Sequence, residues 1–328
     1  MVKKTSSSPH GFKGTLPRLN SSRETNRIVD RLQRTVYGSY RKKGVVIGLS
    51  GGIDSTVVAY LCKKAFGSKN TLSVALPEKD SAADSLTLAK TVARDLRISL
   101  SIKDITDLLE LLGVYEVRLE ILRRLIPDID DNVKFRIVMP PSFLITDRLN
   151  TPILEVQYGK NKKHTTMLDP GSYLSLVAYT NIKARVRMVN LYRIAEENNY
   201  AVIGTSNRTE IELGFFVKYG DSGVDVEPIG HLYKSQVYQM AEHLRIPRAI
   251  ISREPSPDIY SLPAGDERMY FRLPYNILDF FLHATHKRTS LSDISRRSGL
   301  SLDISKRIKA DIMAKKKLAT YRKNCSTL

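Results

Sequence analysis

From Ser22 to Tyr40 the apolar residues Ile28, Val29, Leu32 and Val36 fall at the spacing of one helical face, and Gly44 closes the segment. Val45-Val46-Ile47-Gly48-Leu49 follows as a short, unbroken apolar run. A strand inside a parallel sheet reads this way because both of its faces are covered. Ser50-Gly51-Gly52 makes a tight turn, and Ile53 to Phe66 returns to helical spacing. The alternation continues through a strand at Thr71–Leu76, a helix at Ser81–Leu96, a third strand at Ile98–Ile102, a long helix at Tyr173–Asn198 and a strand at Tyr200–Gly204. Strand alternating with helix predicts an α/β fold, a doubly wound parallel sheet flanked by helices.

From about Leu111 to Gly171 that rhythm breaks. Met139-Pro140-Pro141 interrupts the chain, and Ile153–Tyr158 and Thr165–Leu168 read as strands around a basic turn, Gly159-Lys160-Asn161-Lys162-Lys163. We read residues 111–171 as an inserted, hairpin-rich segment in a single domain spanning 21–328, and residues 1–20 as a disordered basic tail. The segment from Ser290 onward is helical and basic.

Composition narrows the setting. Apolar residues make up 42% of the 328, as in ordinary globular chains. No apolar run reaches about 18 residues, so no membrane span is expected. The N-terminal lysines are followed by no apolar stretch, which reads as a tail and not as a secretory signal. Cys62 and Cys325 are far apart and outside any CxxC pattern, which fits a reducing cytoplasm and argues against disulfide or zinc frameworks. The net charge of +18 suits a polyanionic partner, either nucleic acid or a phosphorylated small molecule, and equally a solubilising surface. The basic clusters Arg41–Lys43, Lys160–Lys163 and Lys315–Lys317 are dispersed and form no single recognition arm.

The chemistry concentrates in Ser50-Gly51-Gly52-Ile53-Asp54-Ser55, set between a strand and a helix. Ligands of open parallel sheets bind beyond the carboxyl ends of the strands. A helix N-terminus there offers free N–H groups and the positive end of its dipole to a phosphate. Gly51 and Gly52 allow close approach, Ser50 and Ser55 add hydroxyls, and Asp54 implies a cation such as Mg2+ between itself and the phosphates. The Walker lysine is absent. Gly48-Leu49-Ser50-Gly51-Gly52 formally matches the nucleophile elbow of acyl hydrolases, but too little chain precedes it to build the strands and oxyanion loop such an elbow needs.

SGGIDS resembles the pyrophosphate-binding loop of the ATP-pyrophosphatase superfamily, an adenine nucleotide alpha hydrolase-like fold. GVVIGLSGGIDSTVVAYLCKKAFG is similar to the NAD synthetases within it. Asn181-Ile182-Lys183-Ala184-Arg185-Val186-Arg187-Met188 resembles that family's N-x-K-A-R-x-R-M helix. Gly204-Thr205-Ser206-Asn207-Arg208-Thr209-Glu210, running on to Gly214–Asp221, resembles its second signature. Asp225, Pro228, Tyr233-Lys234 and Glu254-Pro255-Ser256 extend the likeness.

The resemblance implies a carbon–nitrogen ligase that uses ATP and Mg2+. Such an enzyme adenylates the carboxylate of nicotinic acid adenine dinucleotide and lets ammonia displace AMP, giving NAD. It further implies that Gly48, Ser50, Gly51, Gly52, Asp54, Ser55, Arg187, Thr205, Lys218 and Ser256 contact ATP, and that Asp54 and Glu210 hold the metal. Asn181, Arg185, Asp225 and Lys234 would contact the acceptor, and Asp54, Lys218 and Lys234 would act catalytically, in a cytoplasmic homodimer. Asn181 and Arg185 share a helix face, whereas Arg187 projects about 200° from Arg185. The chain departs from the family in the long stretch before Asn181, in Ser222, and in the Pro257–Pro263 loop. These departures keep open a related ligase with another carboxylate acceptor. A nucleic-acid-modifying member is the more distant alternative.

Overall fold

In the computed structural model β1 (Gly44–Gly48) is buried at every position except its last, as a strand covered on both faces must be. Residues 11–141, 144, 151–160 and 162–323 are described. Before β1 come α1 (Ser21–Gln33) and a π-helical continuation from Arg34 to Ser39. After it come α2 (Ile53–Phe66), β2 (Thr71–Ala75), α3 (Ser85–Leu96) and β3 (Ser99–Ile102). The next stretch contains α4 (Thr106–Leu111), α5 (Val114–Leu125), β4 (Lys134–Val138), β5 (Ile153–Tyr158) and β6 (Lys162–Met167). Then follow the long α6 (Pro170–Asn198), β7 (Tyr200–Ile203) and the short α7 (Arg208–Leu213). The chain closes with α8 (Lys234–His243), α9 (Arg248–Ile251), α10 (Tyr275–His286), α11 (Leu291–Ser298) and α12 (Leu302–Lys323).

The main sheet runs β3-β2-β1-β7 with every pairing parallel. Alternate side chains of β1 divide between its two faces. Val45 and Ile47 pack with Ile28, Val57, Ala89 and Val237 from α1, α2, α3 and α8. Val46 packs with Leu109, Val114 and Ile194 from α4, α5 and α6. The sheet is therefore doubly wound, as the sequence predicts. From β1 the chain passes through α2 to β2 on one side and returns through α6 to β7 on the other. The carboxyl ends of β1 and β7 thus flank the switch point where ligands bind in such sheets. The outer edge of β7 is covered by Val224–Val226, with Val202 N donating to Asp225 Oδ2 at 2.8 Å and Gly204 N to the Val226 carbonyl at 2.8 Å.

The segment expected to be an insertion contains a second, antiparallel sheet, β4-β5-β6. Its apolar side has its own core, in which Ile121, Leu122, Phe135, Ile137, Leu154 and Val156 pack with Leu176 of α6. The hairpin is therefore anchored on the first turns of the helix that bears Asn181 and Arg185. Of the expected tail, residues 1–10 lie outside the described residues. The part from residue 11 on lies against the body, with Phe12 edge-on to Phe280 at 5.6 Å and Lys13 N donating to the Ser298 carbonyl. Cys325 and Asn161 also fall outside the described residues. Among the described residues no helix is long and apolar enough to cross a membrane.

Candidate active site

The turn after β1 is shaped by Gly51, whose φ is +76°. A Cβ there would stand 2.7 Å from both Leu88 Cβ and the Ser85 carbonyl oxygen, so only glycine fits. Gly52 is the N-cap of α2 and supplies no side-chain cap, which leaves first-turn N–H groups available to an anion. Ser50 Oγ lies 3.1 Å from Ser55 Oγ and accepts from Gly52 N at 3.3 Å. The two hydroxyls therefore border the same mouth. Gly48 ends β1 against Leu191 of α6. From the far side of α3, Asp258 accepts from Ser85 Oγ and Ala82 N, both at 2.8 Å, and Ser256 Oγ accepts from Asp258 N. These bonds clip the Ser256 loop beside the turn.

Across the switch point, Asn207 caps α7 in a reciprocal box. Its Oδ1 accepts from Glu210 N at 3.1 Å, and its N–H donates to Glu210 Oε2 at 3.2 Å. Asn207 Nδ2 remains and donates to Asp54 Oδ1 at 3.0 Å. One capping residue thus links the start of α2 to the start of α7. The Lys234 ammonium completes the group by donating to Asp54 Oδ2 and, at 3.3 Å, to Glu210 Oε1. Lys234 is 1% exposed. Expected among the residues that contact the acceptor, it stands at the first position of α8, where its N–H donates to Thr209 Oγ1 at 3.1 Å. Thr209 in turn donates to the buried Asp279, which also accepts from Ser235 N.

Burial raises Glu210, and the charges of Asp54 and Asp266 add to this against the pull of Lys234, pushing it up to about 8. Burial works against the charge on Lys234, but Asp54, Glu210 and Asp266 hold it above the ordinary lysine range. Two carboxylates sharing one ammonium already converge on a cation-sized space. With phosphate oxygens they match the hard oxygen set Mg2+ takes, one or two carboxylates plus substrate. Among the described residues no group of three or more His, Cys, Asp or Glu side chains forms a ready-made metal cage.

The α6 residues divide as the helical wheel requires. Arg185 Nε donates to the Lys218 carbonyl at 3.3 Å, beneath the loop from Val217 to Gly223. Arg187 Nε donates to the Leu76 carbonyl at 3.2 Å, beyond the end of β2. Gly220 and Gly223 let the loop lie on Ala184 and Met188, where any Cβ would come within 2.8–2.9 Å. The Lys218 ammonium lies 5.3 Å from the Tyr219 ring centroid in that loop. Asp225, expected on the acceptor side, has both carboxylate oxygens engaged, one with Tyr192 OH at 3.0 Å and the other with Val202 N along the β7 edge. Asn181 is half-buried on α6, and Thr205 is half-buried just past β7.

Several side chains escape sequence reasoning. Lys183, the unremarked lysine of the Asn181–Met188 motif, is buried and donates to Glu78 Oε1 at 2.9 Å and Asp80 Oδ2 at 2.7 Å. Arg118 of α5 also pairs with Asp80, and Tyr115 OH donates to Glu78 at 2.7 Å. The inserted segment is thereby tied to the sheet through buried charge. On α7 Glu212 points away from Glu210 and binds Arg208, His286 and, at 3.0 Å, Lys316 of α12. Gly214 rests on Ala319, where a Cβ would be 3.1 Å away. Lys315, part of an expected basic cluster, is buried on Asp311.

Glu227 accepts from Ser206 N at 3.0 Å, close under Gly204. Burial, with a contribution from Asp221, pushes its carboxyl up to about 8 from an ordinary 4.5. A value raised on folding means stability present below the ordinary value and lost as pH rises through about 8. The melting temperature of wild type should therefore fall between pH 5 and 8.5 by more than that of Glu227→Gln. Parallel pH curves for the two proteins would show that Glu227 carries no such load.

A family model described as NAD synthase matches residues 24–161 and 152–319. The NH(3)-dependent NAD(+) synthetase of Mesorhizobium japonicum is 42% identical over 303 residues, covering 92% of this chain and 95% of that protein. The NH(3)-dependent NAD(+) synthetase of Thermotoga maritima is 36% identical over 280 residues, covering 83% and 92%. Among solved structures, the NH3-dependent NAD synthetase from Campylobacter jejuni in complex with the nitrate ion superposes with a TM-score of 0.62 at 22% identity, covering 94% of this chain and 99% of that one. NMN synthetase from Francisella tularensis gives 0.61 at 21% identity, covering 94% and 98%. These two likenesses bear on the fold, which they share over nearly the whole chain.

Proposed function

The chain belongs to the NAD synthase family, and from there we propose that it is an ammonia-dependent ligase that makes NAD. ATP adenylates the carboxylate of nicotinic acid adenine dinucleotide, pyrophosphate leaves, and ammonia displaces AMP from the acyl-adenylate. The observation that carries this reading is the Asp54–Lys234–Glu210 cluster, set where the carboxyl ends of β1 and β7 meet the Ser50-Gly51-Gly52 turn.

A free carboxylate resists ammonia because its leaving group would be oxide, and adenylation replaces that group with AMP. No protein nucleophile is needed, and burial holds the Cys62 thiol well above the ordinary cysteine range. The chain contributes position and charge. The turn N–H groups and the Ser50 and Ser55 hydroxyls receive the pyrophosphate end of ATP. Asp54 and Glu210 would hold Mg2+, which when bound offsets phosphate charge. Before a metal enters, Lys234 holds those carboxylates together and oriented, and Lys218 brings positive charge from the covering loop. Thr205, Arg187 and Ser256 border the nucleotide, and Gly48 leaves it room. Asn181 and Arg185 face the acceptor, with the inserted hairpin beside them. A cytoplasmic homodimer belongs to the same reading.

Purified protein with ATP, Mg2+, ammonium and nicotinic acid adenine dinucleotide should form NAD, AMP and pyrophosphate in equal amounts by chromatography. ADP as the stoichiometric product would reject the reaction class. ATP binding without NAD formation at saturating substrate would move the acceptor to another carboxylate.

A further inference from the structure

Asp266 is 4% exposed and half-satisfied. Its Oδ2 accepts from Tyr275 OH at 2.7 Å, while Oδ1 is buried with no hydrogen-bond partner. A buried carboxylate oxygen left unpaired is costly and calls for a partner, such as an ion or a side chain that reaches it in another state. A buried cation, Lys234, stands close by. Its ammonium lies 5.3 Å from the centroid of the Tyr275 ring, the same ring whose hydroxyl binds Asp266. Resting on the metal reading above, Asp54, Glu210 and Asp266 with Lys234 carry, once all three carboxyls are ionised, the two negative charges that one divalent cation cancels. The ammonium, however, sits between the two proposed ligands, where that cation would go. Like charges cannot share the position. Lys234 is too deeply buried to withdraw into water, and its flexible four-carbon stem lets the ammonium move while the backbone stays fixed.

We propose that Asp266 is a positioning residue: its free Oδ1 receives the Lys234 ammonium when a divalent cation enters between Asp54 and Glu210. Asp266 is then a counter-charge for the displaced lysine and not a metal ligand. Lys234 guards the carboxylates in the empty enzyme and yields them without leaving the site.

The test is titration with Mn2+ alone, followed by the electron paramagnetic resonance signal of the free ion, with no turnover required. Asp266→Asn should weaken Mn2+ binding about ten-fold, because the ammonium then has no anionic place to go. In a Lys234→Met background the same Asp266→Asn change should have no effect. An equal loss in both backgrounds, or no loss in either, overturns the proposal. Tyr275→Phe frees Asp266 Oδ2 as well and should tighten Mn2+ binding. Weaker binding there counts against the proposal even if Asp266→Asn does not fold. Wild-type protein whose Mn2+ binding is absent, or indifferent to Asp54→Asn and Glu210→Gln, overturns the metal reading itself. Mn2+ binding that needs both ligands but ignores Asp266 overturns this inference alone.

Discussion

Asp54→Asn and Glu210→Gln each reduce the rate of NAD formation by about a hundred- to a thousand-fold, the cost of losing roughly 3–4 kcal/mol of charge stabilisation at the reacting phosphates. Each change removes one proposed Mg2+ ligand and keeps its shape. The fold should survive, because each new carboxamide keeps one oxygen that can accept from Lys234, and only the bond from Asn207 is lost. Circular dichroism and melting should therefore match wild type while pyrophosphate release collapses. Higher Mg2+ should recover part of the loss if coordination is the cause. Near-normal turnover in either variant at saturating Mg2+ removes that residue from the site.

Lys183→Met should produce the largest loss of stability. Lys183 is 2% exposed between Glu78 and Asp80. Removing one partner of a buried ion pair leaves uncompensated charge and typically costs about 3–5 kcal/mol. For a chain of this size that corresponds to a fall in melting temperature of about 4–7 °C. Arg118 remains on Asp80, but Glu78 keeps only Tyr115 OH and its own local bonds. Adding Glu78→Gln to Lys183→Met should recover much of the loss, because it removes the stranded charge. A melting point within about 2 °C of wild type for Lys183→Met alone would mean that the cluster is far better solvated than its burial indicates.

Why one part of the molecule can be read from the sequence and another cannot comes down to the distance over which each feature is fixed. The turn at Ser50–Asp54 is decided locally: an apolar strand, a glycine that must take positive φ, and a helix start lie within ten residues. The predicted strand and helix there match β1 and α2. The place of Lys234 is decided by Asp54, 180 positions earlier, and by Thr209 on another helix, so no local pattern reveals it. The helix predicted from Ser81 begins at Ser85. The intervening backbone is taken by other partners: Glu78 N binds Ser81 Oγ, and Ala82 N binds Asp258. β4 passes unnoticed because Lys134–Val138 alternates for only five residues and its partner, β5, comes after the Met139-Pro140-Pro141 break. Lys183 looks like an ordinary helical lysine, since its acidic partners stand about a hundred residues upstream.

The seating of α7 on α12 bears on the order in which this protein becomes competent during synthesis. Glu210 is carried by a two-turn helix whose other flank is held by Lys316 and Ala319 of α12. Ribosomes add roughly 5–20 residues per second, so several seconds pass between the emergence of Glu210 and that of the segment that braces it. In that interval α7 has its bonds to Asp54, Lys234 and Asp279 within reach but lacks the flank that α12 covers. A chain cut short before α12 should therefore carry Glu210 on a less firmly held helix than the full chain does.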